Sequence, residues 1–216
     1  MIERRKNKAN NTIYGQIVHI IDDDEAVQDS LSMLLDSVGI ANTVYANAQL
    51  FLDTYGAETL KTLSGCIVMD IRMPGISGME CQQKLNEFQC PLPVIFITGH
   101  GDVPMAVEAM KKGALEFLQK PFREQELLDC IQHALELNRT TQKKAFYALE
   151  IQTRLQSLSK REQEVMQRVI AGQANKIIAS DLKLSQRTIE IHRANVMDKM
   201  QAHSLAELVT MVLTQD

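Results

Sequence analysis

The sequence predicts a doubly wound α/β domain with a five-stranded parallel sheet, followed by a small all-α helix-turn-helix domain at the end of a long helical linker. Three observations predict it. Through residues 17–135, short apolar runs of strand length alternate with helical periodicities, as they do when βα units build a parallel sheet covered on both faces. Between Pro121 and Gly172 there is neither glycine nor proline, so one helix can continue well past the last strand. Beyond Ser159 the pattern changes to short capped helices alone.

The elements follow in order. Residues 1–15 are polar and basic and read as a disordered tail. Ile17 to Ile21 is a strand that runs into Asp22, Asp23 and Asp24; Val27, Leu31, Leu34 or Leu35, and Val38 then recur at helical spacing until Gly39. A strand over Ile40–Ala46 and a helix over Gln49–Tyr55 come next. Gly65–Met69 is a third strand ending at Asp70, with a helix from Ser77 to Phe88. Pro93–Ile97 leads to Thr98 and a helix over Pro104–Lys112; Leu115–Leu118 leads to Lys120 and Pro121, and the last helix starts near Arg123. Leu127, Ile131, Leu135, Phe146, Leu149, Leu155 and Leu158 carry that helix onward as a linker. Ser159 with Glu162 forms a capping box, and helices over 176–182, 186–200 and 205–213 follow, with Ser185 and Ser204 as caps. The predicted organisation is a tail (1–15), an α/β core (16–124), a last helix that becomes the linker (125–157) and a helical domain (158–216).

Composition bounds the function. Hydrophobic content of 45% and charged content of 23% are those of a globular protein with a proper core. The net charge of -4 argues against a chain that is basic throughout, so nucleic-acid binding has to be judged region by region. Cys66, Cys81, Cys90 and Cys130 show no metal-binding or CxxC spacing, and no signal peptide precedes them. They read as reduced thiols of a cytoplasmic protein, with Cys66 in the core. No apolar run approaches the roughly 20 residues that span a membrane, so a soluble protein without a membrane partner is expected.

The chemistry gathers at the strand ends. In a doubly wound sheet the loops at the carboxyl ends of the strands build the site, and Asp22, Asp23, Asp70, Thr98 and Lys120 all lie there. A carboxylate attacks a phosphoryl group poorly unless the repulsion between the two is neutralised. Three carboxylates at adjoining strand ends make a hard oxygen site suited to Mg²⁺ (or Mn²⁺), and a lysine can share the remaining charge. Taken singly these residues say little. The aspartate run reads more simply as a helix cap, and the D-x-x-M-P stretch as a shaped turn. All five at corresponding strand ends point to phosphoryl transfer.

Residues 17–137 resemble the receiver domain of response regulators, a flavodoxin-like fold. The stretches V-H-I-I-D-D-D-E, I-V-M-D-I-R-M-P-G-I-S-G, F-I-T-G-H-G-D-V-P-M-A-V-E-A-M and F-L-Q-K-P-F carry the likeness. The resemblance implies that Asp70 accepts a phosphoryl group from a sensor histidine kinase. Asp23 would then be the direct metal ligand, Asp22 would act mainly through water, and the carbonyl of Arg72 would complete the protein ligands. Thr98 and Phe117 would be the switch pair, although Phe117 on its residue type alone is an ordinary core aromatic. Lys120 would bind the phosphate beside a cis bond to Pro121. Arg72 and His100 flank the site at positions that tune dephosphorylation in that family.

Between Ser159 and His203, eight Lys/Arg face five Asp/Glu, a net charge of +3 within an acidic chain. A helix from Lys176, a turn through Lys183–Ser185 and a longer helix from Gln186 fit a helix-turn-helix, whose second helix enters the major groove. The stretches L-S-K-R-E-Q-E-V, G-Q-A-N-K-I-I-A, L-S-Q-R-T-I-E-I-H and M-D-K-M resemble the output domain of the LuxR/NarL/FixJ class. That resemblance implies that Glu190, Ile191 and Ala194 face bases, with Arg193 a further candidate. Lys176, Arg187, Thr188 and His192 are expected at phosphates, which position without specifying. Glu190 fits a cytosine amino group and fits a plain helix-surface charge equally well.

Both halves together are most similar to the FixJ subgroup, and M-D-K-M-Q-A-H-S-L-A-E-L with G-H-G-D-V-P-M-A-V-E is similar to regulators of tetrathionate respiration. The expected protein is a phosphorylation-activated transcription regulator that dimerises when phosphorylated, binds double-stranded promoter DNA and works with RNA polymerase. Two alternatives are that phosphorylation unmasks the output domain, or that the receiver is a phosphorylation-independent scaffold. A phosphatase is not expected: that chemistry needs a second aspartate where Arg72 stands. Only self-phosphorylation and slow hydrolysis at Asp70 are then anticipated. A lactone-gated sensor would need an apolar pocket where this chain has an acidic site.

Overall fold

The computed structural model describes residues 15–99 and 103–213. All but the last residue of the predicted tail, and His100, lie outside them. The chain divides into two compact units, residues 1–142 and 143–216.

In the first unit five strands, β1 (Ile17–Ile21), β2 (Asn42–Tyr45), β3 (Gly65–Asp70), β4 (Val94–Thr98) and β5 (Glu116–Gln119), pair in parallel in the order β2-β1-β3-β4-β5. The intervening helices are α1 (Glu25–Ser37), α2 (Ala48–Leu60), α3 (Gly78–Glu87), α4 (Val103–Lys111) and α5 (Glu124–Gln156). The inner strands β1, β3 and β4 are apolar at nearly every position because helices cover both faces, while the edge strands β2 and β5 are half polar. Alternate residues serve opposite cores. Val18, Ile20, Cys66, Val68, Ile95 and Ile97 pack with Leu31 and Leu35 of α1 and Leu127 and Ile131 of α5. Ile21, Ile67, Met69 and Phe96 pack instead with Phe51 of α2, Leu85 of α3 and Ala109 of α4. Burial holds Cys66 out of water and pushes its thiol up to about 12, as befits a core residue.

Most element bounds agree with the sequence reading to within a residue; the start of β2 differs by two, for a local reason. Ile40 is not in β2, because its N–H bonds back to the Leu35 carbonyl as α1 terminates. The helix begun at Ala48 runs to Tyr55, as the sequence reading has it; Gly56 (φ 65°, ψ 165°) breaks the helical dihedrals, and a short second helix, counted with α2, continues to Leu60.

Helix α5 is tied to the sheet by a residue whose polarity suggests linker. Asn138 is buried; its Oδ1 accepts from the Gly65 N–H at 3.0 Å and its Nδ2 donates to the Pro91 carbonyl at 2.9 Å. Gln142 donates to the Leu63 carbonyl one turn further on.

In the second unit, residues 143–156 of α5 are followed by α6 (Lys160–Ile170), α7 (Asn175–Leu182), α8 (Gln186–Met200) and α9 (Leu205–Leu213). Ser159 and Glu162 form the reciprocal capping box, Ser185 accepts from the Thr188 N–H, and Ser204 from the Glu207 N–H. Two small cores hold the unit together: Ile151, Met166, Val196, Met200 and Leu208 in one, Val165, Val169, Ile178 and Ile189 in the other. No helix among the described residues is long and apolar enough to cross a membrane.

Candidate functional site

The register of the sheet places the first site. Ile21 pairs with Met69, Asp70 with Ile97 and Thr98 with Gln119, so Asp22, Asp70, Thr98 and Lys120 emerge side by side where β1, β3, β4 and β5 end. Oxygen atoms of Asp22, Asp23 and Asp70 all lie within 4.8 Å of one another. Asp22 is buried, Asp23 is exposed and Asp70 lies between.

Lys120 answers this concentration of negative charge. Its Nζ bonds Asp22 Oδ2 at 2.7 Å, a contact that spans 98 residues of chain. The Asp22 side chain also accepts from the Asp24 N–H at 3.0 Å, and its main-chain carbonyl accepts from Gln28 Nε2 at 2.6 Å. Asp70 accepts from the Ile71 N–H at 2.9 Å. Burial raises the Asp70 carboxyl above the usual aspartate range; Asp22 and Asp23 push the same way, while Lys120 and the Ile71 N–H pull it down.

The aspartate run divides its labour. Asp24 caps α1 by accepting from the N–H groups of Ala26 and Val27, so the helix-cap reading holds for the third aspartate, and the first two join Asp70. Thr98 is buried at the end of β4, and its carbonyl accepts from the Lys120 N–H at 2.8 Å. Lys120–Pro121 is a cis bond. Phe117 is half-buried, beside Phe96 in register, and packs on the core shared by α2, α3 and α4. Arg72 is exposed in the β3–α3 loop.

Three contributors escape sequence reasoning. Gln28 steadies the Asp22 backbone, and nothing in its position announces it. Asn138 reads as linker surface. Gly78 has a legible motif but an illegible reason: a Cβ there would sit 2.4 Å from the Asp70 carbonyl oxygen and 3.0 Å from the Phe96 ring. Only glycine lets α3 begin so close to Asp70.

In the second unit, α7 and α8 meet through the turn at Lys183, whose φ of 55° ends α7 in the left-handed conformation. Lys176, Arg187, Glu190, Ile191 and Ala194 are exposed, while Thr188, His192 and Arg193 are partly covered. Ile191 is 54% exposed, a large apolar side chain presented to solvent on a helix that otherwise hides its isoleucine and valine. The Thr188 hydroxyl bonds Ser185 Oγ at 2.8 Å. The Nδ1 of His192 is buried and finds no partner among the described residues. Arg193 turns away from Glu190 and Ala194, and donates to Asn175 Oδ1 at 2.5 Å.

Residues 18–132 match the family described as the response regulator receiver domain, and residues 156–212 match the bacterial regulatory proteins of the luxR family. The chain belongs to the response regulators. It is 48% identical to the transcriptional regulatory protein FixJ of Bradyrhizobium diazoefficiens, over 91% of this chain and 94% of that one. With the response regulator protein TodT of Pseudomonas putida it shares 42% identity over 90% of this chain and 84% of that protein. Among solved structures, that of the response regulator StyR is 42% identical, covers 92% of this chain and 98% of its own, and superposes with a TM-score of 0.84. Full-length FixJ from B. japonicum is 47% identical, covers 93% and 97%, and gives a TM-score of 0.56. This regulator therefore pairs a receiver with a LuxR-type helix-turn-helix, and its relatives are transcription regulators rather than enzymes.

Proposed function

We propose that this regulator is switched by phosphorylation of Asp70 and that its output domain then binds promoter DNA. The observation that carries the reading is the convergence of Asp22, Asp23 and Asp70 with Lys120 bonded among them. Three hard oxygen donors within one small cluster suit Mg²⁺ or Mn²⁺, with Asp23 and Asp70 as direct ligands, Asp22 acting through water and the Arg72 carbonyl completing the set. When bound, such an ion neutralises the charge between a carboxylate and an incoming phosphoryl group.

The chain's own groups do the rest. An Asp70 oxygen attacks the phosphorus of a phosphohistidine on a sensor kinase; the P–N bond breaks and the imidazole leaves with its electron pair. Lys120, released from Asp22 or shared with it, holds a phosphoryl oxygen. The new acceptor oxygens draw the Thr98 hydroxyl, and Phe117 follows into the space, reshaping the α4–β5 face.

That face supports dimerisation as the next step. Val103, Val107 and Met110 of α4 are exposed, at 78%, 45% and 44%, leaving an apolar strip that a second receiver can cover. Two output domains then engage paired half-sites of promoter DNA, with Glu190, Ile191 and Ala194 at bases and Lys176, Arg187, Thr188 and His192 at phosphates. RNA polymerase is the downstream partner and the cytoplasm the setting.

Phosphorylation of wild type and Asp70→Asn by a small phosphodonor with Mg²⁺, followed by size on a column and a gel shift, tests this. Labelling with a shift to dimer, both lost in Asp70→Asn, is the expected result. Labelling without dimerisation would favour relief of masking, and no labelling would leave the receiver as a scaffold.

A further inference from the structure

Among the described residues three side-chain-to-side-chain clips join α6, α7 and α8 pairwise, and one of them differs in kind. Arg168 on α6 pairs with Asp181 on α7 at 2.8 Å. Lys199 on α8 pairs with Glu162 on α6 at 2.7 Å. Both are ion pairs, in which the two charges cancel. The third joins α8 to α7 through Arg193 and Asn175 at 2.5 Å, and its acceptor is a neutral amide.

The choice of asparagine is informative. An aspartate at position 175 would accept the same hydrogen bond and add charge, making a shorter and stronger pair. Asparagine fixes the guanidinium in place and leaves its full positive charge standing. No carboxylate within ion-pair distance faces Arg193 among the described residues. A guanidinium has five N–H donors, and the bond to Asn175 uses one of them.

Position explains where that charge points. Arg193 lies on the covered line of α8 with Ile189, Val196 and Met200. It is partly covered, lines a cleft with Val165, Val169 and Leu208, and reaches Asn175 with its Nη1. Asn175 is the first residue of α7 and is followed directly by the exposed Lys176. The start of α7, the helix that precedes the recognition helix, thus carries Lys176 and is bonded by Arg193 through Asn175. In a helix-turn-helix the first helix crosses the DNA backbone.

We propose that Arg193 is a phosphate-binding residue pre-positioned by Asn175, and not a reader of bases. This rests on the reading that the output domain binds DNA. Asn175 is then a positioning residue: it orders a long side chain before DNA arrives, without neutralising it, so less rotamer freedom is lost on binding.

The test is the salt dependence of binding of the full chain to a fluorescein-labelled duplex of random sequence, read by anisotropy. For every phosphate that the protein no longer neutralises, the slope of log K against log salt becomes shallower by about 0.9. Arg193→Gln keeps an amide donor for Asn175 and removes the charge, so its slope should be shallower by about that amount. Arg193→Lys keeps the charge and restores the slope. Asn175→Asp neutralises the guanidinium and makes the slope shallower without lowering the melting temperature, which a merely structural clip would not do. If wild type shows a steep slope that neither Arg193→Gln nor Asn175→Asp changes, the inference is overturned and the DNA-binding reading stands. If wild type shows no salt-dependent binding, the inference falls together with the DNA-binding reading it rests on.

Discussion

The two units of this regulator treat polar groups in opposite ways. The receiver buries them: His19, Asp22, Gln82, Thr98 and Asn138 are each about 1% exposed. Among the described residues the output unit buries only Glu162 to a comparable degree, and leaves most of its charges on helix surfaces. On the proposed switching, the receiver keeps its charges in a medium where each one counts, so that one added phosphoryl group would rebalance the whole site. A DNA-binding surface has to keep its charges hydrated until phosphates replace the water. Substitutions at polar positions should therefore cost much more in the receiver than in the output unit.

The largest effect is expected at Lys120. Its ammonium is the direct partner of the buried Asp22 carboxylate, and removing one member of a buried pair leaves a charge without compensation. Lys120→Met should lower stability in divalent-free buffer by about 3 kcal/mol in urea unfolding. On the proposed metal site, Mg²⁺ would bind the folded cluster and not the unfolded chain, so adding it should recover part of the deficit. A deficit below about 1 kcal/mol would place the pair with ordinary surface ion pairs and remove the contrast between the units.

His19 comes next, and it acts through pH. Its ring lies among Tyr45, Phe51 and Tyr55, with Nδ1 3.3 Å from the Tyr45 hydroxyl. Burial lowers its pKa from 6.5 to about 4. Between those values the unfolded chain binds a proton that the folded chain refuses, so stability falls as pH drops through the window and levels off below it. The gap corresponds to a loss of about 3 kcal/mol at most. His19→Phe should flatten the stability–pH curve between pH 6.5 and 4; an unchanged curve would show that the ring finds another way to accept its proton.

The fold and the receiver site are largely legible in the sequence because strand ends are places that topology enforces. Once Ile17–Ile21, Gly65–Met69 and Pro93–Ile97 are strands of one parallel sheet, Asp22, Asp70 and Thr98 must emerge at the same edge. Helix faces carry no such guarantee. Arg193 sits next to His192 and Ala194 in a motif that reads as base-facing, yet its side chain runs to Asn175. Asn138 looks like linker because polarity is a statistical sign of exposure, and a buried amide with paired partners defeats it.

Gln82 offers a smaller effect of opposite sign. Neither polar atom of its buried amide has a partner among the described residues. On α3 it stands between Gly78, which abuts the Asp70 carbonyl, and Asn86, which donates to the Lys112 carbonyl beyond α4. An unpartnered buried amide costs about 1–3 kcal/mol relative to a paired one. Gln82→Met keeps the shape and removes the polar atoms, so thermal unfolding should show a gain of about 1 kcal/mol. A loss would mean that the amide is satisfied in solution.

The smallest effect is expected at the start of α6, where the output unit comes nearest to the receiver's habits. Glu162 accepts from Lys199 Nζ and from the Ser159 N–H, and these hydrogen bonds hold its carboxyl down at about 2. A carboxyl depressed from 4.5 contributes stability above that value, which is lost as pH falls toward about 2. Ser159→Ala removes the other half of the capping box and should cost about 1 kcal/mol at neutral pH. The Glu162–Lys199 bond survives in that variant, so its stability should still fall over the same acid range. If Ser159→Ala instead cost as much as Lys120→Met, the output unit would depend on its polar contacts as strongly as the receiver does. The division between a buried switch and a hydrated binding surface would then fail for this chain.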